Sequence, residues 1–146
     1  MKTVAEILNS KPEQTIHTTT PTASVFDAVT SMAKKNVGAL LVLKEGKVVG
    51  IITERDYARK IAVMSRSSRE TPVSDIMTRE VMCVRPDHTS DQCMALMTEN
   101  RFRHLLVMDG DKLLGIISIG DLVKGVIADQ QFIIEQLEHY IAGDRG

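Results

Sequence analysis

The sequence has few of the residues that several functional classes require. Its 146 residues include three Phe, two Tyr and no Trp, and the formal net charge is −1. Few rings are therefore present to stack on bases, and there is no bulk positive charge to attract a phosphate backbone, which argues against nucleic-acid binding. No apolar run approaches the ~20 residues that a membrane-spanning helix needs.

The start of the chain and its few reactive side chains favour a cytoplasmic protein without catalysis. Val4-Ala5-Glu6 stands where a signal peptide would have an apolar core. Cys83 and Cys93 are isolated in the sequence, which favours two buried small hydrophobes, while a redox pair remains the alternative. The sequence has no glycine-rich phosphate loop followed by Lys-Ser/Thr and no nucleophile with an evident base, and the four His are scattered. We therefore expect no enzyme and no required metal.

What the sequence does contain is a duplicated motif. Gly-Ile-Ile-Thr-Glu-Arg-Asp begins at Gly50, and Gly-Ile-Ile-Ser-Ile-Gly-Asp begins 65 residues later, at Gly115. Ten identities at this offset lie between positions 16 and 61. Upstream, residues 4–8 match residues 73–77 at an offset of 69. A sequence that repeats at a fixed interval indicates two copies of one structural unit.

Each copy predicts a short helix, an extended segment, a helix, two strands joined by a tight turn, and a further helix. The apolar runs 38–43 and 48–52 read as the two strands of the first copy, and 104–108 and 113–117 as those of the second. We therefore predict a mixed α/β (α+β) chain of two β-α-β-β-α repeats plus a C-terminal helix. The predicted boundaries are 1–64 for repeat 1, 65–72 for a linker, 73–128 for repeat 2, and 129–146 for an amphipathic helix and tail.

The C-terminal helix, predicted over 128–142, has no partner in the first copy. Its apolar stripe consists of Phe132, Ile133, Leu137, Tyr140 and Ile141. An amphipathic helix of this kind must bury its stripe, either on its own repeats or on another subunit. The sequence leaves both options open.

The end of each motif allows two interpretations. Thr53 with Asp56, and Ser118 with Asp121, have the spacing of a capping box, in which a hydroxyl residue and a carboxylate satisfy the first backbone N–H groups of a helix. The start of a helix also favours phosphate, and a carboxylate one turn in can accept both hydroxyls of a ribose. Both interpretations can hold at once.

The paired motif, at the end of each β-α-β-β-α unit, resembles tandem CBS domains, the Bateman module. The resemblance covers about residues 3–128 and is greatest to small stand-alone bacterial CBS-pair proteins. It implies repeats packed as a pseudo-two-fold pair, an adenine nucleotide (AMP, ADP, ATP or NAD) in clefts between them, and a flat homodimer. It also implies that the output passes through a regulated protein partner.

The resemblance assigns roles to residues at the motifs. It implies that Asp56 and Asp121 hold the ribose diol, with Thr53 and Ser118 beside the ribose and phosphate. It places two segments near the adenine: Val37, Gly38 and Ala39, and their twins Phe102, Arg103 and His104. It also implies that the extended segments near Ile16 and Met82 complete the two pockets.

The two copies differ in their basic residues. Arg103 and His104 fit the phosphate-contacting basic pair that the resemblance implies, and Arg55 inside the first motif is a further phosphate candidate. Arg103 as a solvated side chain and His104 as a satisfied strand-edge residue remain the simpler alternatives. We expect two sites that are not equivalent.

The leading hypothesis is a non-enzymatic regulatory module that senses an adenine nucleotide. A partner-binding or redox-linked scaffold with a vestigial nucleotide site is the alternative. An enzyme acting on nucleotides is less favoured than either, because no catalytic constellation is present in the sequence, and nucleic-acid binding is weaker still.

Overall fold

The structure, a computed structural model, describes residues 2–12 and 15–140, and these contain six helices and six strands. The helices are α1 Val4–Ser10, α2 Val25–Lys35, α3 Glu54–Tyr57, α4 Val73–Ile76, α5 Ser90–Asn100 and α6 Ile119–Glu138. The strands are β1 Thr18–Thr19, β2 Ala39–Lys44, β3 Lys47–Thr53, β4 Cys83–Val84, β5 His104–Asp109 and β6 Lys112–Ser118. A π-helical turn, Ala58–Ala62, continues α3.

The strands form two three-stranded sheets with the same plan. In each sheet a two-residue strand pairs in parallel with the first strand of an antiparallel hairpin, in the orders β1-β2-β3 and β4-β5-β6. Leu41 pairs with Ile51 in the first hairpin and Leu106 with Ile116 in the second, and both hairpins break register after the fourth residue of the leading strand, Val42 or Val107. These features confirm the predicted α/β chain of two repeats with a C-terminal helix.

The short helices do not pack on the sheet of their own repeat. Val4 N–H of α1 donates to the carbonyl of His88 at 2.8 Å, and Val73 N–H of α4 donates to the carbonyl of Ala23 at 2.8 Å. The chain accordingly divides into a first unit, Thr15–Val81, and a second unit, Met1–Gln14 with Met82–Gly146, as far as these ranges are described. The compact units and the sequence repeats thus partition the chain differently, and the boundaries predicted from the repeats stay predictions.

Each unit has its own hydrophobic core. In both, one face of the hairpin packs against the long helix and the exchanged short helix. The first core includes Met32, Leu40, Ile52, Ile61 and Ile76, and the second includes Ile7, Met97, Leu105, Ile117 and Leu122. Alternate residues of the leading strands, Leu40 and Val42 in β2 and Leu105 and Val107 in β5, thus enter the core of their own unit.

The prediction of two buried cysteines holds for one of them. Cys93 is buried in the second core, and its burial raises the pKa of the thiol, which favours the protonated form. Cys83 is exposed, which corrects the prediction, and both thiols are free. The reason is the strand alternation of β4, where Val84 points into the core and its neighbour points outward.

The last helix leaves the body of its unit. Helix α6 runs without interruption from the end of β6, and residues 130–140 are all exposed. Phe132 is 62% exposed, Leu137 56% and Tyr140 76%. The stripe is therefore not buried on the chain's own described residues, while Ile141 and the predicted helix end lie outside them. None of the described helices is both long and apolar enough to cross a bilayer.

The packing around the two motif glycines predicts that an alanine is tolerated less well at position 50 than at position 115. A Cβ on Gly50 would lie 2.9 Å from Met77 Sδ and 2.9 Å from the Thr78 carbonyl oxygen, which itself accepts from Ile51 N–H. A Cβ on Gly115 would lie 2.7 Å from Leu8 Cδ1, the tip of a flexible side chain. We expect Gly50→Ala to cost about 1–3 kcal/mol of unfolding free energy and Gly115→Ala less, measured by urea denaturation.

Double variants distinguish a clash with backbone, at position 50, from a clash with a side chain, at position 115. Gly115→Ala should cost little in a Leu8→Ala background, whereas Met77→Ala should not rescue Gly50→Ala, because the hydrogen-bonded carbonyl still blocks the new methyl group. Gly120→Ala is the control, since its Cβ would meet only Ser118 Oγ at an ordinary 3.5 Å. Equal costs at positions 50 and 115 would contradict the packing described here.

Candidate functional site

Strand pairing brings the predicted residues of each repeat together within its own unit. Ala39 pairs with Thr53, and the Gly38 carbonyl accepts from Glu54 N–H at 3.0 Å. His104 pairs with Ser118, and the Arg103 carbonyl accepts from Ile119 N–H at 2.9 Å. The segment before each hairpin therefore lies against the first turn of the helix that carries the motif carboxylate.

The remaining predicted residues lie around these two places with different exposure. Leu41 N–H donates to the carbonyl of His17, and Leu106 N–H donates to that of Met82. These bonds align the half-buried Ile16 and Met82 with the starts of β2 and β5. Val37 and Phe102 are also half-buried, whereas Arg55 and Arg103 are exposed. Their roles toward a ligand stay predictions.

Asp56 is a buried carboxylate with partners on both oxygens. Thr53 N–H and Thr53 Oγ1 donate to Oδ2 at 3.0 and 3.1 Å, and Asp56 N–H donates back to Thr53 Oγ1 at 3.1 Å, which completes the capping box. Thr78 Oγ1 donates to Oδ1 at 3.0 Å, and Lys60 Nζ lies 3.1 Å from the same oxygen. The first motif thus ends in a closed polar cluster inside the first unit.

Asp121 has the same cap but a different environment. Ser118 N–H donates to Oδ2 at 2.8 Å, and Asp121 N–H donates to Ser118 Oγ at 3.1 Å. Lys11 Nζ lies 3.0 Å from Oδ2 and also donates to the Ile116 carbonyl at 2.9 Å. Within the described residues, none donates a hydrogen bond to Oδ1. The carboxylate is therefore positioned by one oxygen and can accept from a ligand through the other.

The pKa of Asp121 is lowered overall. Burial alone would raise this pKa, but the hydrogen bonds from Ser118 and the ammonium of Lys11 outweigh it by stabilising the charged form. The carboxyl is therefore ionised at neutral pH, as an acceptor for two hydroxyl groups requires.

Acid should destabilise the protein through this residue. A carboxyl with a lower pKa when folded binds more protons when unfolded, so its stabilisation is complete above the unfolded value of about 3.9 and disappears as the pH falls through the folded pKa. We expect the unfolding free energy to fall as the pH is lowered from about 5, and Asp121→Asn and Lys11→Met each to flatten that slope. Urea titrations at several pH values measure this, with Lys124→Met on the exposed side of α6 as the control. A slope unchanged in Asp121→Asn would contradict the assignment.

Three partners of the carboxylates are absent from the sequence prediction. Lys60 lies one helical turn after Asp56, a spacing at which opposite charges attract, so the sequence alone could have predicted this ion pair. Thr78 and Lys11 follow the short helices α4 and α1, and they reach the carboxylates only because those helices sit on the other repeat's sheet. No local pattern identifies them.

The cavity found in the second unit does not coincide with the motif carboxylate of that unit. A shallow cavity in the second unit is lined by 83–87 and 108–110. It lies at the turn end of the hairpin, about 17 Å along β5 from His104 at 3.4 Å per residue. No group of three or more His, Cys, Asp or Glu among the described residues is arranged to hold a metal ion.

Comparison with known proteins agrees with this arrangement. The CBS domain family model matches residues 4–63 and 73–128. A solved structure of a protein with CBS domains from Burkholderia ambifaria, provisionally assigned to signal transduction, is 56% identical, has a TM-score of 0.84, and covers 88% of this chain and 96% of that one. The solved structure of CBSX2 in complex with AMP is 27% identical with a TM-score of 0.70, over 89% and 99% of the two chains.

A curated relative is longer than the matched region. The mitochondrial CBS domain-containing protein CBSX3 of Arabidopsis thaliana is 46% identical over 125 residues, which span 82% of this chain and 61% of CBSX3. The two family matches, the duplicated motif and the two matching sheets lead to one assignment. The chain belongs to the CBS-domain family and carries two CBS domains in tandem.

Proposed function

We propose that this protein is a regulatory module that binds an adenine nucleotide at a motif carboxylate and catalyses no reaction. The observation that carries the proposal is Asp121, an ionised carboxylate at the start of a 20-residue helix, with Oδ2 engaged and Oδ1 receiving no bond from the described residues. The AMP complex of the related CBSX2 supports the ligand class. A cytoplasmic location remains part of the proposal.

The groups near the motif match the parts of a nucleotide. A carboxylate oxygen can accept the two hydroxyls of a ribose, and the first backbone N–H groups of α6 favour a phosphate. Arg103 and His104, and Arg55 in the first repeat, add positive charge for the phosphate. The segments Val37–Ala39 and Phe102–His104 would contact the adenine. AMP, ADP, ATP and NAD all present these groups.

The test compares ligands that differ only at the ribose. Calorimetric titration of the native protein with AMP should show binding, and 2′-deoxy-AMP and 3′-deoxy-AMP should each bind at least tenfold more weakly. In a thermal-shift assay, AMP at 100 times its dissociation constant should stabilise the fold by about 2.7 kcal/mol, or roughly 5–11 °C. Absence of binding by AMP, ADP, ATP and NAD to folded, ligand-free protein would refute the proposal.

We also propose that a second copy of this chain covers the exposed stripe of α6. Five large apolar side chains near the end of the chain are between 48% and 76% exposed: Phe132, Ile133, Ile134, Leu137 and Tyr140. Large exposed apolar patches of this kind mark interaction surfaces. Two solved structures are of hexameric CBS-CP12 protein from bloom-forming cyanobacteria, so assembly occurs among the relatives. Because Ser118 is the N-cap residue of α6, the same helix would connect the nucleotide to the oligomer and to a regulated partner.

Charge placed on the stripe should dissociate the oligomer. We expect the wild-type protein to sediment as a homodimer and Phe132→Asp with Leu137→Asp to sediment as a monomer, because a buried unpaired carboxylate is costly. Analytical ultracentrifugation measures the mass, with Glu135→Lys on the same helix as the control. A native monomer would instead favour a partner-binding scaffold that uses this helix.

A further inference from the structure

We propose that each chain binds one nucleotide, at Asp121, and that Thr78 and Lys60 keep the equivalent position at Asp56 closed. This inference rests on the proposed function and adds which of the two motif carboxylates is available. The sequence predicts a ribose acceptor at each motif, since both carry the hydroxyl residue and the Asp at the same spacing, and it distinguishes the two sites only by their basic residues. The difference lies in the donors that the tertiary structure supplies.

The acceptor capacity of Asp56 is fully used. A carboxylate has about four lone-pair positions for hydrogen bonds. Thr53 N–H and Thr53 Oγ1 occupy two of them on Oδ2, while Thr78 Oγ1 and Lys60 Nζ occupy two on Oδ1. The residue is 7% exposed. A ribose could bond to Asp56 only after Thr78 and Lys60 had left.

Displacing those donors would offset part of what a ligand gains at Asp56. The ribose hydroxyls are neutral donors, and one of them would replace an ammonium, whose hydrogen bonds to a carboxylate are stronger. Lys60 Nζ also donates to the Ile76 carbonyl at 2.9 Å, so its departure would break a second bond. Thr78 is tied to β3 through reciprocal backbone bonds with Ile51 at 2.9 and 2.8 Å, which keep its hydroxyl in place.

Asp121 lacks this closure. The position equivalent to Lys60 at the 65-residue offset is Gly125, which has no side chain to reach the carboxylate. Lys11 instead pairs with Oδ2, the same oxygen that accepts from Ser118 N–H, so the contacts of the described residues gather on one side of the carboxylate. Lys11 also supplies a positive charge next to the place where an anionic ligand would bind.

Calorimetry with AMP tests the inference through stoichiometry. The native protein should bind one AMP per chain, and Asp121→Asn should weaken that binding by at least about 100-fold. Thr78→Val combined with Lys60→Met keeps the shape and the carbon stem of the two residues but removes both donors. This opened variant should bind two AMP per chain, and adding Asp56→Asn to it should return the stoichiometry to one. Circular dichroism and thermal melting establish that each variant is folded.

The outcomes separate this inference from the proposed function. Two AMP molecules of similar affinity on the native chain would overturn the closure of Asp56 and leave the proposed function standing. A folded opened variant that still binds one AMP would overturn the role of Thr78 and Lys60. No AMP binding by either the native chain or the opened variant would overturn the inference and the proposed function together.

Discussion

Replacing Asp121 with Asn is expected to lower the affinity for AMP by at least about 100-fold. Hydrogen bonds to a charged group contribute about 1.5–3 kcal/mol each, and a ribose diol makes two of them, so their loss corresponds to about 3 kcal/mol or more. The amide of Asn can still accept from Ser118 N–H, which bonds the carboxylate at 2.8 Å. The cap is therefore kept while the charge is removed. Calorimetric titration with AMP measures the change.

The matched control for this variant lies on the same helix. Asp129 of α6 is 3.9 Å from Lys2 Nζ, and its carboxylate is partly exposed. Asp129→Asn removes the same charge from the same helix about two turns away, and we expect its AMP affinity to stay within twofold of wild type. A large loss in both variants would indicate a general electrostatic effect, and no loss in Asp121→Asn would exclude the diol contact.

The largest effect on stability is expected from the paired core isoleucines. Ile52 and Ile117 occupy the same position in the two repeats, and each is 0% exposed in the core of its unit. Truncation of a buried isoleucine to alanine costs about 2–5 kcal/mol, because transfer free energy is lost and a cavity is left. We expect Ile52→Ala and Ile117→Ala each to lower the unfolding free energy by that amount, as measured by urea denaturation.

An exposed residue provides the reference for these truncations. Val63 is 75% exposed, and Val63→Ala should change the unfolding free energy by no more than about 0.5 kcal/mol. A small cost at only one of the two isoleucines would show that the two cores are not equally packed. An unchanged slope of free energy against urea would indicate that each variant still unfolds as one cooperative system.

Several elements follow directly from local sequence. The apolar runs ending in Ile52 and Ile117 predict the buried hairpin strands, and the hydroxyl-to-carboxylate spacing predicts both capping boxes. The exposure of the Cys83 side chain was not predicted, because a strand of two residues is too short for the alternation of apolar and polar residues to indicate which face is buried. The stripe on α6 was visible as a pattern, but a pattern does not identify the surface that covers it.

The sequence by itself determined that the chain has two copies of one unit and which residues form the strands, caps and motif carboxylates. Local propensity and periodicity are enough for this, since each signal lies within a few neighbouring residues. Only the tertiary structure decided that α1 lies on the second sheet and α4 on the first, because Val4 and Val73 present the same apolar face to either sheet. That exchange brings Lys11 to Asp121 and Thr78 to Asp56. It thereby makes two carboxylates that are equivalent in sequence different in their capacity to bind a ligand.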